Sequence, residues 1–276
     1  MSQFAVSPYK LQGFYQCAKW YYFEYLDQLI SSHRRELRKP RPFLTVGDCV
    51  HKTLKKLTSS DKSDQTEKRA LEILAQMWQP YAGERGGFPT LEEEKEAYAD
   101  AEKMVLNFCQ KQAKMDQPFY LPPADSFEEL KKVEIGSDLV LQGKIDRVDR
   151  DGENLHVIDY KTGKSEDDEP FQIFAYALLV EEIFSHQVTR ASYWYLRSNQ
   201  IKSFLFDQDE KRKVIKRVED FVADLEAERD FAPQMGLKCY VCDFVNFCPE
   251  REKVLEKISG KKVASGGVRE IEELPF

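Results

Sequence analysis

No apolar run in these 276 residues approaches the roughly 20 that a membrane-spanning helix needs, so no span is expected. The opening MSQFAVSPYK has no basic stretch followed by an apolar one. No secretory signal is expected from it, and the cytoplasm is the expected location. Positive charge is short: 41 Lys and Arg against 48 Asp and Glu leave a net charge of −7. That balance argues against a protein that coats nucleic acid by bulk charge and leaves room only for local basic patches. The pattern G-x-x-x-x-G-K-S/T is absent, which excludes a P-loop motor within the chain. No internal repeat is found.

Charged residues make up 32% and hydrophobic ones 42% of the chain, the balance of a globular protein. Its length allows one large domain, or one domain with a lobe. Two basic patches stand out, His33-Arg34-Arg35 through Arg41, and Lys211-Arg212-Lys213 with Lys216-Arg217. Each reads as a solvated surface or as a local contact for a polyanion.

Ser7-Pro8 sets a helix start, a capping hydroxyl before a proline at the first helical position. That helix is expected to run on through Leu26, followed by a linker rich in Arg, Lys and Pro. A second helix is expected near Gly47, carrying His51 and Leu54. Residues 66–80 and 90–115 read as two more helices, a helical insertion over roughly 60–120. Strands are expected at 131–135, 139–149 and 155–161. A helix should start at Pro170 behind the acidic EDDE, whose charges suit a helix N-terminus. A second hairpin turns at Asn199-Gln200, and a long charged helix covers roughly 209–229. Residues 251–276 read as a flexible tail. Its last residues, E-E-L-P-F, read as an inert end, with a short peptide hook for a partner as the other reading. Helices and strands alternating on one mixed sheet give an α/β class.

The most informative stretch is residues 141–164, LQGKIDRVDR-DGEN-LHVIDYKTGK. It reads as two strands joined by a tight turn at Asp151-Gly152. Asp159 and Lys161 are two residues apart, hence on one face of a pleated strand. If the turn centres on Gly152-Glu153, Asp146 falls opposite Asp159. Two carboxylates so placed repel by about 0.2–1 kcal/mol, and a lysine beside them suggests a divalent cation between them. Oxygen ligands suit Mg²⁺ or Mn²⁺. A bare D-x-K on a solvated surface hairpin is the competing reading.

Six cysteines stand at 17, 49, 109, 239, 242 and 248. Cys239-x2-Cys242-x5-Cys248 is compact and flanked by aromatics, a spacing that suits a metal site needing one more thiolate from afar. Cys49 and Cys109 read as core residues. Disulfides are disfavoured by the expected compartment.

G-x-x-D-R-V-D followed by V-I-D-Y-K-T-G-K resembles the PD-(D/E)XK nuclease core in its RecB-like form. The resemblance implies a restriction-endonuclease-like central sheet flanked by helices over residues 1–250, and hydrolysis of DNA phosphodiesters. It implies Asp146, Asp159, Lys161 and Glu134 as catalytic residues, with the Tyr160 carbonyl as an extra metal ligand. V-G-D-C-V-H-K-T-L is similar to the family's upstream G-x-x-x-H-x-x-L helix and makes His51 a further ligand. Glu134, in K-K-V-E-I-G, resembles the glutamate before the G-x-x-D strand, and an ordinary edge-strand charge is the other reading. Gln172 and Tyr176 match the family's Q-x-x-x-Y, which contacts DNA or orients the lysine.

Cys17, in F-Y-Q-C-A-K-W-Y-Y, resembles the N-terminal cysteine of iron–sulfur RecB-like nucleases such as AddB and its CRISPR-associated relatives. In those, that cysteine and a C-terminal C-x2-C-x5-C hold a 4Fe–4S cluster, which would make residues 236–250 an iron–sulfur segment. Zinc is the competing occupant. The resemblance implies an exonuclease acting on single strands or DNA ends in repair or recombination. A CRISPR-adaptation nuclease that trims prespacers, and a nuclease or scaffold subunit of a helicase complex, are the alternatives. Tyr193, Trp194 and Tyr195 are candidates for base stacking, though alternating strand burial accounts for them equally well.

Overall fold

Side-chain caps mark where helices begin in the computed structural model, which describes residues 4–115, 131–136, 139–166 and 168–264. Ser7, Thr66 and Thr90 each accept a backbone N–H from the first turn that follows. The helices are α1 (Pro8–Gln16), α2 (Ala18–Tyr21), α3 (Gln28–Ser32), α4 (Arg34–Leu37), α5 (Pro42–Thr58), α6 (Glu67–Trp78) and α7 (Leu91–Gln112). After them come α8 (Phe171–Phe184), α9 (Gln208–Ala227) and α10 (Arg251–Ala264). The strands are β1 (Phe4–Val6), β2 (Lys131–Gly136), β3 (Leu139–Gly143), β4 (Arg147–Asp151), β5 (Asn154–Lys161), β6 (Val188–Tyr195) and β7 (Gln200–Leu205). No helix among the described residues is long and apolar enough to cross a membrane. The chain divides into two compact units, Met1–Ala5 with Pro40–Ile215, and Val6–Lys39 with Lys216–Phe276.

In the first unit the strands form two sheets rather than one, β1-β3-β2 and β4-β5-β6-β7. The single strand expected at 139–149 is broken at residues 144–146. Two anchors hold the break. Ile145 is buried there, and Asp146 turns to accept the Tyr160 N–H. Beyond the break, the β4–β5 register runs from Arg147 opposite Ile158 to Asp151 opposite Asn154. This is the register of a turn centred on Gly152-Glu153, and Gly152 takes the positive φ of 64° that the turn requires. β5 and β6 are parallel, and the crossover between them is α8. That helix buries Ile173, Phe174, Ala175, Ala177, Leu178, Leu179 and Val180, consistent with its nearly continuous apolar sequence. The β6–β7 hairpin turns earlier than Asn199-Gln200, since Gln200 already pairs with Tyr195.

The helices at 67–112 are no appendage. Cys49, Val50, Leu54 and Leu57 of α5 pack with Ile73 and Leu74 of α6, and with Met104, Val105 and Phe108 of α7. Ile158, Tyr160 and Trp194 of the four-stranded sheet complete the same core. Helix α5 begins at Pro42, a full turn before the expected Gly47.

In the second unit, the helix expected to run from Pro8 to Leu26 breaks at Cys17, which is extended with φ −167° and ψ 104°. Trp20 folds back over Gly13, where a Cβ would lie 2.2 Å from the indole Cζ3. The Trp20 N–H then bonds Cys17 Sγ at 3.4 Å. The tail expected from 251 onward starts instead as α10, seated by Val254, which is buried. Residues 265–276, with the E-E-L-P-F end, lie outside the described residues.

Two predictions follow from the packing of the first unit. A Cβ on Gly143 would lie 2.6 Å from Tyr176 Cε1. Gly143→Ala should therefore lower stability by about 1–3 kcal/mol through overpacking, read as a shift in urea midpoint. His156 on β5 is buried, with Nε2 2.7 Å from Ser192 Oγ. Burial first, then Arg190 and Arg147, push it down from 6.5 to about 3. The unfolded chain therefore binds this proton more readily than the fold does. Stability is unaffected above pH 6.5 and falls as the pH drops from 6.5 toward 3. The loss is roughly one kcal/mol per pH unit. His156→Gln should flatten the melting temperature between pH 6 and 4; an unchanged slope would assign the acid sensitivity elsewhere.

Candidate functional site

Asp146 stands at the end of the break between β3 and β4. One carboxylate oxygen takes the His51 Nδ1–H at 2.9 Å, and the other takes the Tyr160 N–H at 2.9 Å. It thus joins helix α5 to strand β5. The β4–β5 ladder stops at Arg147, so Asp146 is not a paired strand residue as expected; it sits one step past the last pair. Asp159 and Lys161 share a face of β5, and Lys161 Nζ lies 3.0 Å from Asp159 Oδ2. Lys161 also donates to Gln172 Oε1 at 2.6 Å, and Gln172 Nε2 donates to the Tyr176 hydroxyl at 3.1 Å. The Tyr160 side chain points the other way, into the helical core, with ring centroids 5.6 Å from Phe108 and 5.8 Å from Trp194.

The charges compensate in pairs. Burial opposes the charge on His51, but the Asp146 carboxylate carries its pKa up to about 9. Burial opposes the charge on Asp146 as well, and His51 with the Tyr160 N–H hold it below the usual carboxylate range. Asp159 is pushed up, by burial first and by Asp146, against the pull of Lys161. Burial works against the Lys161 ammonium too, yet Asp159 and Asp168 keep its pKa above the ordinary value. The result is two opposed carboxylates whose positive partners are His51 and Lys161.

Close approaches secure this group. A Cβ on Gly47, one turn before His51, would lie 3.2 Å from Thr162 Oγ1, just past Lys161. Gly143 similarly leaves room for the Tyr176 ring. Sequence reading assigned no role to several neighbours. Asp168 Oδ1 lies 4.0 Å from Lys161 Nζ. Behind the hairpin, Arg147 Nε pairs with Asp149 Oδ1 at 2.7 Å, both fully buried. The D-R-V-D string was the available signal for that pair.

Other expectations fall differently. Glu134 is exposed on β2 opposite Val140, in the other sheet from Asp159 and Lys161. Tyr193, Trp194 and Tyr195 are at most 2% exposed, which rules them out as a base-stacking surface in this conformation. Much of the charge from Lys211 to Lys216 is spent in ion pairs: Lys211 with Glu181, Arg212 with Asp209, Lys213 with Glu210 and Lys216 with Asp220. In the first patch, Arg34 and Arg38 neutralise the buried Glu24.

In the second unit, Cys17, Cys239, Cys242 and Cys248 line one cavity of about 420 Å³, counting its open mouth, together with Trp20, Phe23 and Lys238. All four are free thiols. Cys17 Sγ receives two backbone N–H groups, from Trp20 at 3.4 Å and Gln234 at 3.5 Å. Burial pushes Cys242 up to about 12 and raises Cys248. Cys49 is buried, as expected of a core residue, and Cys109 packs partly buried against the helical core.

Among the described residues, no three His, Cys, Asp or Glu side chains stand close enough together to grip a metal ion as they are placed. The donor chemistry nonetheless fits. Asp146 bonds the His51 imidazole, and the charge of Asp159 acts on both, a donor set whose chemistry suits a hard divalent cation. Four thiols share one cavity, with N–H groups already aimed at one sulfur, a set suited to a thiolate-bound centre.

No curated protein matches the chain. One solved structure, described as "Crystal structure of SSO0001", aligns with 18% identity over 75% of this chain and 85% of that chain, at a TM-score of 0.32. The model of the PD-(D/E)XK nuclease superfamily matches residues 5–249, which span both compact units. Enzymes of that superfamily hydrolyse phosphodiester bonds with divalent metals such as Mg²⁺ or Mn²⁺. With the match covering most of its length and the mixed α/β architecture agreeing, this chain belongs to the PD-(D/E)XK nuclease superfamily.

Proposed function

We propose that the chain is a RecB-like deoxyribonuclease, an exonuclease acting on single strands or DNA ends in repair or recombination, with Asp146, Asp159 and Lys161 at its centre. What carries this reading is a pair of contact sets, His51–Asp146 and Asp159–Lys161–Gln172–Tyr176, with the Asp146 carboxylate tied to the same strand by the Tyr160 N–H. Asp146, Asp159, His51 and the Tyr160 carbonyl would hold the divalent cation. When bound, that cation supplies Lewis acidity and an activated water for attack on phosphorus.

The chain's own residues do the rest. Lys161 keeps its proton at Nζ and presents positive charge where a phosphate oxygen gains negative charge. Gln172, backed by Tyr176, holds that ammonium in place. Burial of Asp159 strengthens each electrostatic contact around it. A helicase partner would supply strand separation in this reading.

In the second unit, Cys17, Cys239, Cys242 and Cys248 would hold a 4Fe–4S cluster with a structural role, zinc being the competing occupant. Support comes from the four thiols facing one cavity and from the two N–H groups on Cys17 Sγ.

Two experiments test these readings. Purified protein with Mg²⁺ or Mn²⁺ should degrade labelled single-stranded DNA, and Asp159→Ala should cut the rate by at least about 100-fold. Equal rates for the variant and the parent, or no cleavage by either, would sink the nuclease assignment. Anaerobically purified protein should be brown, with iron and sulfide in equal amounts. Cys242→Ala should lose that colour together with several degrees of melting temperature. A colourless parent containing zinc would replace the cluster, and a colourless variant of full stability would remove its structural role.

A further inference from the structure

Lys161 is a flexible four-carbon arm that loses rotamer entropy when it is fixed. The sheet supplies a partner for it that the D-x-K pattern does not contain. In the parallel β5–β6 register, Tyr193 lies directly beside Asp159, and Tyr195 beside Lys161. The Tyr193 ring lies under the ammonium, with Lys161 Nζ 4.7 Å from its centroid. Its hydroxyl is used twice at the mouth of α8, donating to the Glu169 carbonyl at 2.9 Å and accepting the Ile173 N–H at 3.2 Å. Those two groups bracket Gln172, which receives the Lys161 hydrogen bond. They also follow Asp168, the second carboxylate near the ammonium.

We propose that Tyr193 is a positioning residue for Lys161, acting through a ring that floors the ammonium and a hydroxyl that clasps the 168–173 segment over it. The inference rests on the reading of Lys161 as the catalytic lysine. The hydroxyl ties the end of the loop and the first turn of α8 to the sheet, so Gln172 meets Lys161 from a fixed direction. The ring adds cation–π attraction in a desolvated site. A buried tyrosine usually finds a partner for its hydroxyl, and this one finds two, at the element that carries Gln172. No base reaches Tyr193, which is fully buried. Its effect therefore passes through Lys161 and Gln172.

The test uses the full-length chain and three variants, Tyr193→Phe, Gln172→Ala and the double variant. On labelled single-stranded DNA with Mn²⁺, Tyr193→Phe should lower kcat by about 10- to 100-fold, the range for residues that orient a catalytic group. DNA affinity in EDTA should not change. The double variant should be no slower than the slower single one, because both losses act through one ammonium. Wild-type kcat in Tyr193→Phe, or losses that multiply, would overturn the proposal. A second readout needs no activity. In protein with isotope-labelled lysine, the Lys161 Hε protons should be shifted upfield by the ring, and Tyr193→Leu should return them to the position of a solvated lysine. Unshifted protons in the parent would refute the clasp. If the parent cuts no DNA while this shift is present, the nuclease reading fails and the clasp stands.

Discussion

The Asp146 carboxylate is the constraint on which the first unit turns. It is a half-buried charge, and a charge drawn that far out of water needs partners to offset its lost hydration. Here one oxygen takes an imidazole from α5 and the other a backbone N–H from β5. Those donors come from elements far apart in sequence, so helix, strand break and hairpin are specified together. The break at 144–146 is then a requirement, because a residue kept in the ladder could not turn its side chain back to the N–H of Tyr160. The helices at 67–112 enter the same account. They press on Cys49, Val50 and Leu54 of α5, the helix that carries His51, and so hold that helix against the sheet. What reads in sequence as an insertion is, in packing terms, the backing of the His51 helix.

Two glycines set how closely the flanking elements approach. Gly47 lets α5 lie against Thr162, and Gly143 lets the Tyr176 ring lie against the end of β3. Both stand inside motifs otherwise recognised by their charged residues. The glycines control distance and the charged residues control charge, and a lysine hydrogen bond of 2.6 Å to Gln172 needs both. This is why a motif of several residues carries more weight than the D-x-K within it.

The parts of this fold that sequence made legible are those set by local chemistry. The turn at Gly152, with its positive φ, set the β4–β5 register as far as Arg147, one step short of Asp146. Caps at Ser7, Thr66 and Thr90 set three helix starts. What escaped depends on contacts between distant residues. The helix break at Cys17 follows from an indole packing on Gly13, which helical periodicity does not reveal. The division into two sheets follows from the Asp146 turn. Tyr193 escaped because a Tyr-Trp-Tyr run on a strand reads equally as core or as a stacking surface. Only the parallel register showed that it lies beside Asp159.

The second unit is made from the two ends of the chain, and this bears on what a metal centre there would do. Gln234 and Cys17 are 217 residues apart, yet the Gln234 N–H meets the Cys17 sulfur at 3.5 Å. Nearly the whole first unit lies within the loop those contacts close. Closing so long a loop is entropically unfavourable, although the cost grows only logarithmically with length. The apolar lining of the cysteine cavity offsets part of it, through Trp20, Phe23 and Phe244. On the proposed reading, a centre held by Cys17 and Cys239–Cys248 would add a covalent tie across that loop. By analogy with a disulfide of comparable span, such a tie is worth roughly 5 kcal/mol against the unfolded chain. The second unit would then owe its cohesion more to the tie than to its core.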